Sequence, residues 1–600
     1  MLETFRDEHK QGGSFGRVMS CRGSEARIAM TDDGRSERPM RITIGTAIAI
    51  QSAGRSIIGL ISEVTSSASS GIEMSSQRAI ANVDLIGEIG PDDTGSRRFL
   101  RGVRYYPAIG DRAVPLSAQE LRLIYASPQE SSIVVGQLNQ DLAIPVHVNA
   151  DELLAKHFAV LGSTGVGKSS GVAVIIDELT KARPDVRVLL LDVHNEYGNC
   201  FPDRSKAIGS DELRLPFWLL TFEEITDVIY GGKPAVAEET EILLELIPTA
   251  KAHYQSYKGS QDRSSILSRK NPKAAGFTAD TPSPYLMHDL LGLIDERMGK
   301  LENRSTRMIH HRLMMRIEAL IQDKRFAFMF ENANVGGDTM AAVLGQLFHV
   351  DSDDCSITIL KLASLPGEVI DAIVCVTARL AFEFGQWSNG GVPLMLVCEE
   401  AHRYAAADRS VGFAPARRAL SKIAKEGRKY GVHLGLVTQR PAELDPTIIS
   451  QCSTLFFMRM ANDQDQRILQ ATVSDTAENL LPFIPTLGTG EAVGIGEGLP
   501  VPTRFSFTLR APAELPFNDQ SRASRSPALD RIELVRQAVE RWRQSSISQP
   551  NWRDQHKAAA QSPLASERKS ALALGLQTIS NERVGGGDTV TEYHNRLTSR

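Results

Sequence analysis

The sequence predicts an α/β protein: a parallel sheet covered by helices, preceded by a small all-β barrel and carrying a helical insertion. Three observations predict it. Before about residue 148, short alternating apolar runs recur between glycines and polar clusters. After 150, near-continuous apolar runs alternate with helical patterns, as expected of strands covered on both faces. At the start of that second region stands Gly162-Ser163-Thr164-Gly165-Val166-Gly167-Lys168-Ser169, a glycine-rich octet between an apolar run and a helical pattern.

The barrel is assigned to residues 1–148, on runs such as Arg17-Val18-Met19, Ile42-Thr43-Ile44, 56–61 and 79–83. Residues 66–77 are serine-rich and read as a loop. Strand candidates follow at 157–161, 186–192, 356–362, 393–398, 432–437 and 454–458. They divide the sheet domain into 149–210 and 351–512, with nucleotide expected at the carboxyl ends of the strands. The stretch 366–384 carries a helical packing stripe through Ile370, Ile373, Val374, Leu380 and Phe384. Residues 211–350 break the alternation with helical patterns and form the insertion; within it, 258–284 has the Lys, Ser, Pro and Gly content of a mobile loop. Residues 513–600 hold one helix, 529–543, and a polar, poorly ordered tail.

Composition excludes several classes. With 42% hydrophobic and 23% charged residues, the 600-residue chain is an ordinary soluble globular protein. No apolar run approaches 18 residues and the first residues lack an apolar segment, so neither a membrane span nor a secretory signal is expected. Six scattered cysteines without a C-x-x-C pair suit reduced core positions and a cytoplasmic location. The net charge of −5 gives no bulk basicity, so any DNA contact must come from a local patch or from subunits ringed around the strand.

The octet is chemically specific. Its glycines let backbone N–H groups close around phosphate oxygens, and the helix after it aims its positive end at the same anion. Lys168 is placed to reach the β- and γ-phosphates, and the Ser169 hydroxyl to ligate Mg²⁺. A hydrolase also needs an acid near Mg²⁺ and a group to polarise water at a strand end. Leu394-Met395-Leu396-Val397-Cys398-Glu399-Glu400 supplies both: Glu399 holds Mg²⁺ through water and Glu400 activates the attacking water. A second strand ends in Asp192, a candidate for Mg²⁺ or the attacking water, with Glu196 placed to steady the loop. Gln439 ends another strand and is a candidate γ-phosphate sensor. His194 and His402 show no metal-ligand spacing and read as polar packing. Arg417, Arg418, Lys422, Lys425, Arg428 and Lys429 form a cationic stripe. It reads as a solvated face, as contacts to DNA phosphate, or, through Arg428, as an arginine finger for a neighbouring subunit.

As a set, HFAVLGSTGVGKSS at 157–170, LLLDVHNEY at 189–197, LMLVCEEAHRY at 394–404, KIAKEGRKYGVHLGLVTQRPAELDP at 422–446 and CSTLFFMRMANDQD at 452–465 resemble the HerA-like branch of the HerA/FtsK superfamily. The resemblance runs from residue 14 to about 510. It implies a RecA-like ATPase core and a homo-hexameric ring with ATP and Mg²⁺ bound between subunits. It also implies translocation of double-stranded DNA, with a partner nuclease or other effector, and a possible setting in antiphage defence. Lys168 and Ser169 then match the phosphate and Mg²⁺ residues, Asp192 the strand-end acid, Glu400 the catalytic glutamate, Gln439 the sensor and Arg428 the trans-acting arginine, with Arg459 the next candidate. Glu399 departs from the commoner aspartate, and the tail after 512 has no family counterpart. Two other readings remain open at this stage: an assembly platform whose ring binds and gates an effector, and a conjugation- or secretion-type ATPase.

Overall fold

The computed structural model describes residues 14–30, 43–67, 78–91, 96–125, 131–261, 276–331, 337–350, 352, 354–408, 414–472, 480–516, 535–537 and 539–540. The serine-rich segment 68–77, residues 262–275 of the insertion and nearly all of the tail lie outside them.

Seven strands come first: β1 (Gly16–Arg22), β2 (Glu25–Met30), β3 (Ala47–Ser52), β4 (Arg55–Ser67), β5 (Arg78–Pro91), β6 (Arg97–Arg101) and β7 (Arg112–Pro115). Six close into an antiparallel barrel in the order β2-β1-β7-β3-β4-β5, with β5 returning to β2 and β6 added beside β5. The period-2 alternation of the sequence divides the apolar side chains between two cores. Ile48, Ile50, Ile57 and Ile61 point into the barrel with Val18, Ile28 and Val83. Their neighbours Ala47, Ala49, Ile58 and Leu60 face outward and join the core of the large domain. Gln140 adds a polar stitch, donating to the Ala47 carbonyl at 3.2 Å and accepting its N–H at 3.0 Å.

The second sheet has eleven strands. They are β8 (Ser132–Leu138), β9 (Asp141–Asn149), β10 (Phe158–Leu161), β11 (Arg187–Asp192), β12 (Ser205–Ile208), β13 (Ile357–Lys361), β14 (Leu394–Cys398), β15 (Val432–Thr438), β16 (Thr454–Phe457), β17 (Glu491–Gly496) and β18 (Thr503–Phe507). The order is β12-β13-β11-β14-β15-β10-β16-β17-β18-β8-β9. The seven strands from β12 to β16 are parallel; the last four are antiparallel. Strands β10, β11, β14 and β15 are buried along their whole length, which is why they read as unbroken apolar runs.

Two assignments change here. The barrel does not extend to residue 148: β8 and β9 leave it and form the antiparallel edge of the large sheet. An alternating hairpin reads the same on a barrel wall and at a sheet edge, so periodicity could not separate them. Strands β12, β17 and β18 are additional; β17 carries Gly494 and Gly496, glycines that weaken a strand pattern. Of the expected helix 529–543, residues 535–537 and 539–540 are described and helical.

The insertion leaves the sheet between β12 and β13 and carries the helices Phe222–Tyr230, Ala237–Gln261, Met287–Gly299, Arg304–Gln322 and Met340–Phe348. A capping box starts the first: Thr221 accepts from the Glu224 N–H while Glu224 accepts from the Thr221 N–H. Lys251, almost fully buried, donates to the carbonyls of Ala279 at 2.6 Å and Thr281 at 2.7 Å, fastening the long helix to the chain that re-enters after 275. Burial pushes this amine down to about 8.

Gly435 lies at the middle of β15, with the Phe158 ring against its backbone. A Cβ there would approach Phe158 Cζ to 2.6 Å. Gly435→Ala is therefore expected to destabilise the sheet domain by about 1–3 kcal/mol through overpacking. A melting temperature equal to that of the parent chain would contradict this packing.

Candidate nucleotide site

The site sits where β10, β11, β14 and β15 end, on the carboxyl edge of the parallel strands. After β10 the chain turns through 162–167 and enters the helix Lys168–Ala182. Gly165 and Gly167 take φ of 76° and 95°, left-handed values that glycine adopts without steric cost. Gly162 donates its N–H to the Thr438 carbonyl at 3.2 Å, and a Cβ on it would reach Met458 Cβ at 2.8 Å. The turn is thus pinned to β15 on one side and to the end of β16 on the other. No side chain caps the following helix, whose first N–H groups stay open to an anion.

Lys168 donates to the Ser163 carbonyl at 2.8 Å, across the turn the phosphates would fill. Burial lowers its pKa, against the pull of Glu400, Glu399 and Glu196. The Ser169 hydroxyl donates to Glu196 Oε2 at 2.6 Å. Glu196 is placed by Asp192, which is fully buried and accepts the N–H groups of Glu196 and Tyr197, each at 3.0 Å. Both Asp192 oxygens are thereby engaged, so Asp192 shapes the turn, and Glu196 is the carboxylate that meets Ser169.

Glu399 and Glu400 follow β14 and lie in contrasting surroundings. Glu399 accepts the Val193 N–H at 3.1 Å and hydrogen-bonds with Asp192. Burial, then the charges of Asp192, Glu196 and Glu400, push its pKa well up. Glu400 takes the left-handed backbone (φ 49°, ψ 46°), rare for a residue with a Cβ, and this turns its carboxylate away from its neighbour's pocket. Burial opposes its charge, yet His194, His402 and Lys168 together lower its pKa. Its Oε1 lies 3.5 Å from His194 Nε2 and its Oε2 3.3 Å from His402 Nδ1. Two adjacent carboxyls with pKa values driven apart are the usual mark of divided roles. The Ser169 hydroxyl with the Glu196 and Glu399 carboxylates is a hard-oxygen set that fits Mg²⁺.

Gln439 accepts a short hydrogen bond from the Thr164 hydroxyl, so the end of β15 touches the turn directly. Arg428 does not join this group. It is exposed on the turn Gly427–Tyr430 that precedes β15, at the opposite end of that strand. The rest of the cationic stripe is partly absorbed: Arg418 pairs with Glu223, and Lys422 lies 4.4 Å from the Phe382 ring centre. Arg459 meets the turn through its backbone, its carbonyl accepting the Ser163 N–H at 2.9 Å. Sequence reading missed the contacts of His194 and His402 to Glu400; only the i, i+2 spacing of His402 from Glu400 hinted at one.

Residues 133–381 match the protein family described as the central domain of helicase HerA. A probable helicase of Methanocaldococcus jannaschii is 28% identical over 443 residues, covering 71% of this chain and 79% of that protein. The DNA double-strand break repair helicase HerA of Pyrococcus furiosus is 26% identical over 459 residues, covering 71% of this chain and 77% of the relative. Among solved structures, VirB4 of Thermoanaerobacter pseudethanolicus aligns with a TM-score of 0.42 and 14% identity, over 64% of this chain and 99% of that one. Fold and site together define a P-loop ATPase with a RecA-like core. More narrowly, the chain is similar to HerA-type ATPases, the likeness to the family's central domain running over residues 133–381.

The buried Glu399 carboxyl yields a stability prediction. Its folded-state pKa lies above the unfolded value of about 4.3. The folded state therefore binds the extra proton, and stability on this group's account falls as pH rises out of the acid range. Glu399→Gln, which imitates the protonated acid, is expected to melt at or above the parent temperature at neutral pH without metal, with the difference shrinking on acidification. A lower melting temperature at neutral pH, unchanged in acid, would contradict it.

Proposed function

We propose that this chain is a ring-forming motor: a homo-hexamer that hydrolyses ATP at its subunit seams and translocates double-stranded DNA without sequence preference. The observation that carries the reading is a division of the catalytic parts. One protomer gathers the phosphate loop, Lys168, Ser169, Glu400 and Gln439 at the carboxyl edge of its sheet, and leaves Arg428 exposed at the other end of β15. An arginine so placed acts on a triphosphate only if that triphosphate belongs to a neighbour. Relatives whose names describe DNA double-strand break repair helicases support DNA as the track. No helix of the described residues is long and apolar enough to cross a membrane, which suits a cytoplasmic motor.

The geometry supports the following roles. Lys168 and the open N–H groups of its helix bind the β- and γ-phosphates. Mg²⁺ would be held by Ser169 and, through water, by Glu399, and would neutralise charge developing on the phosphoryl group. Glu196 orients the Ser169 hydroxyl. Glu400, the ionised member of its pair, accepts a proton from the attacking water, and Gln439 reports whether the γ-phosphate is present. Asp192 acts through Glu196 and Glu399 rather than on the substrate. The cations of the 417–429 stripe with no strong internal partner are candidates for phosphate contacts on DNA. A partner nuclease or other effector, in DNA end processing or antiphage defence, completes the reading.

Three outcomes test it. Lys168→Ala is expected to lose ATP binding, whereas Glu400→Gln keeps binding and loses turnover by roughly 10²–10⁴-fold. Arg428→Ala and Lys168→Ala, each inactive alone, are expected to regain ATPase when mixed, because an intact loop then faces an intact arginine across some seams. Absence of such complementation, or full turnover by a monomer, would overturn the shared site. Long duplex DNA is expected to stimulate turnover; an effector retained by Glu400→Gln with DNA leaving turnover unchanged would instead favour the assembly platform.

A further inference from the structure

The Glu400 carboxylate and the end of β15 compete for one nitrogen. His402 lies on the short turn Ala401–Arg403, its side chain largely buried. Its Nδ1 is 2.9 Å from Thr438 Oγ1 and 3.3 Å from Glu400 Oε2. Thr438 is fully buried, and its oxygen already accepts the Arg440 N–H at 3.0 Å. With one N–H accepted, the Thr438 hydroxyl can donate its own proton to Nδ1, and in that tautomer Nδ1 carries no proton for Glu400. Consistent with this, Glu400 Oε2 is buried without a hydrogen-bond partner. An unpartnered buried carboxylate oxygen is costly, so Glu400 stands ready to take any donor that appears, water or imidazole.

Thr438 is in turn tied to the phosphate loop. Its carbonyl accepts the Gly162 N–H, and the next residue, Gln439, accepts from Thr164. A continuous set of contacts therefore runs from the loop through 438–439 and His402 to Glu400.

We propose that His402 is a positioning residue for Glu400, set by Thr438. While the Thr438 hydroxyl occupies Nδ1, the glutamate is free to engage water; when the end of β15 withdraws that hydroxyl, His402 shifts to its Nδ1–H tautomer and clamps Glu400 Oε2. Occupancy of the phosphate loop is thereby passed to the base that acts on the γ-phosphate. This rests on the ATPase reading above.

The test is a double-mutant cycle on kcat, with KM and binding of a fluorescent ATP analogue measured alongside. Thr438→Val removes the competing hydroxyl and is expected to lower kcat roughly tenfold, with KM within about twofold. Thr438→Ser keeps the hydroxyl and is expected to restore the parent rate. His402→Ala in the Thr438→Val background is expected to recover kcat, because the clamp is gone. His402→Leu repeats the cycle if the alanine variant fails to bind the analogue. The relay is overturned if Thr438→Val slows turnover equally with and without His402, or if Thr438→Ser is as slow as Thr438→Val. Those outcomes leave Lys168→Ala and Glu400→Gln unaffected; loss of their expected effects would instead sink the ATPase reading.

Discussion

Carboxylates outnumber the cation they surround. At the ends of β10, β11 and β14, Glu196, Glu399 and Glu400 converge on one ammonium, Lys168, with a fourth carboxylate, Asp192, buried beside Glu196 and Glu399. Four ionised carboxylates cannot coexist there at low dielectric. The protein answers with protons, hydrogen bonds and shape. Glu399 and Asp192 share a hydrogen bond and have raised pKa values, Asp192 accepts two backbone N–H groups, and Glu196 takes the Ser169 hydroxyl. Glu400, flanked by two imidazoles, is driven toward ionisation. A divalent cation arriving with nucleotide would displace the shared proton and relieve the excess.

The same logic explains why the sheet is built as it is. β15 lies between β10 and β14, so the phosphate loop and the two glutamates are separated by one strand width. With β15 between them, β10 and β14 are two strand spacings apart, roughly 10 Å. This order places the residues at the end of β15 in reach of both sides. Thr438 and Gln439 contact the loop through Gly162 and Thr164, and Glu400 through His402. A strand buried along its whole length is a rigid spacer, and Gly435 at its centre lets the Phe158 ring pack without pushing the neighbouring strands apart.

The sheet strands that carry chemistry were legible because burial on both faces makes them continuous apolar runs ending abruptly in polar residues. The runs at 157–161, 186–192, 393–398 and 432–437 each fall within a residue or so of an observed strand. The antiparallel edge was not legible in the same way. β8 and β9 alternate like the barrel strands before them, β17 contains Gly494 and Gly496, and Pro500 and Pro502 stand just before β18. Within the site, the glycine-rich loop announced itself by spacing alone. The exchange of duties between Asp192 and Glu196 did not, since it depends on a turn in which Asn195 takes a positive φ and both Asp192 oxygens meet backbone N–H groups. The two histidines beside Glu400 come from different strands' ends, and no one-dimensional spacing brings His194 to Glu400.

The backbone of Glu400 makes the final connection. A left-handed conformation at a residue with a Cβ costs on the order of 1–2 kcal/mol, and here it falls on the residue that follows a fully buried strand. Without that turn, Glu399 and Glu400 would continue the strand's alternation and point to opposite faces of the sheet, where neither would meet the loop. With it, Glu399 enters the acid pocket behind Ser169 while Glu400 swings toward His194 and His402. The conformational cost is local, and it separates two chemically identical side chains into one whose pKa is raised by burial and neighbouring carboxylates and one whose pKa is lowered by His194, His402 and Lys168. A glycine at position 400 would relax the backbone and lose the carboxylate; an aspartate would keep the charge on a side chain one methylene shorter, farther from both imidazoles. Length and charge at position 400 therefore both decide whether its carboxylate meets His194 and His402.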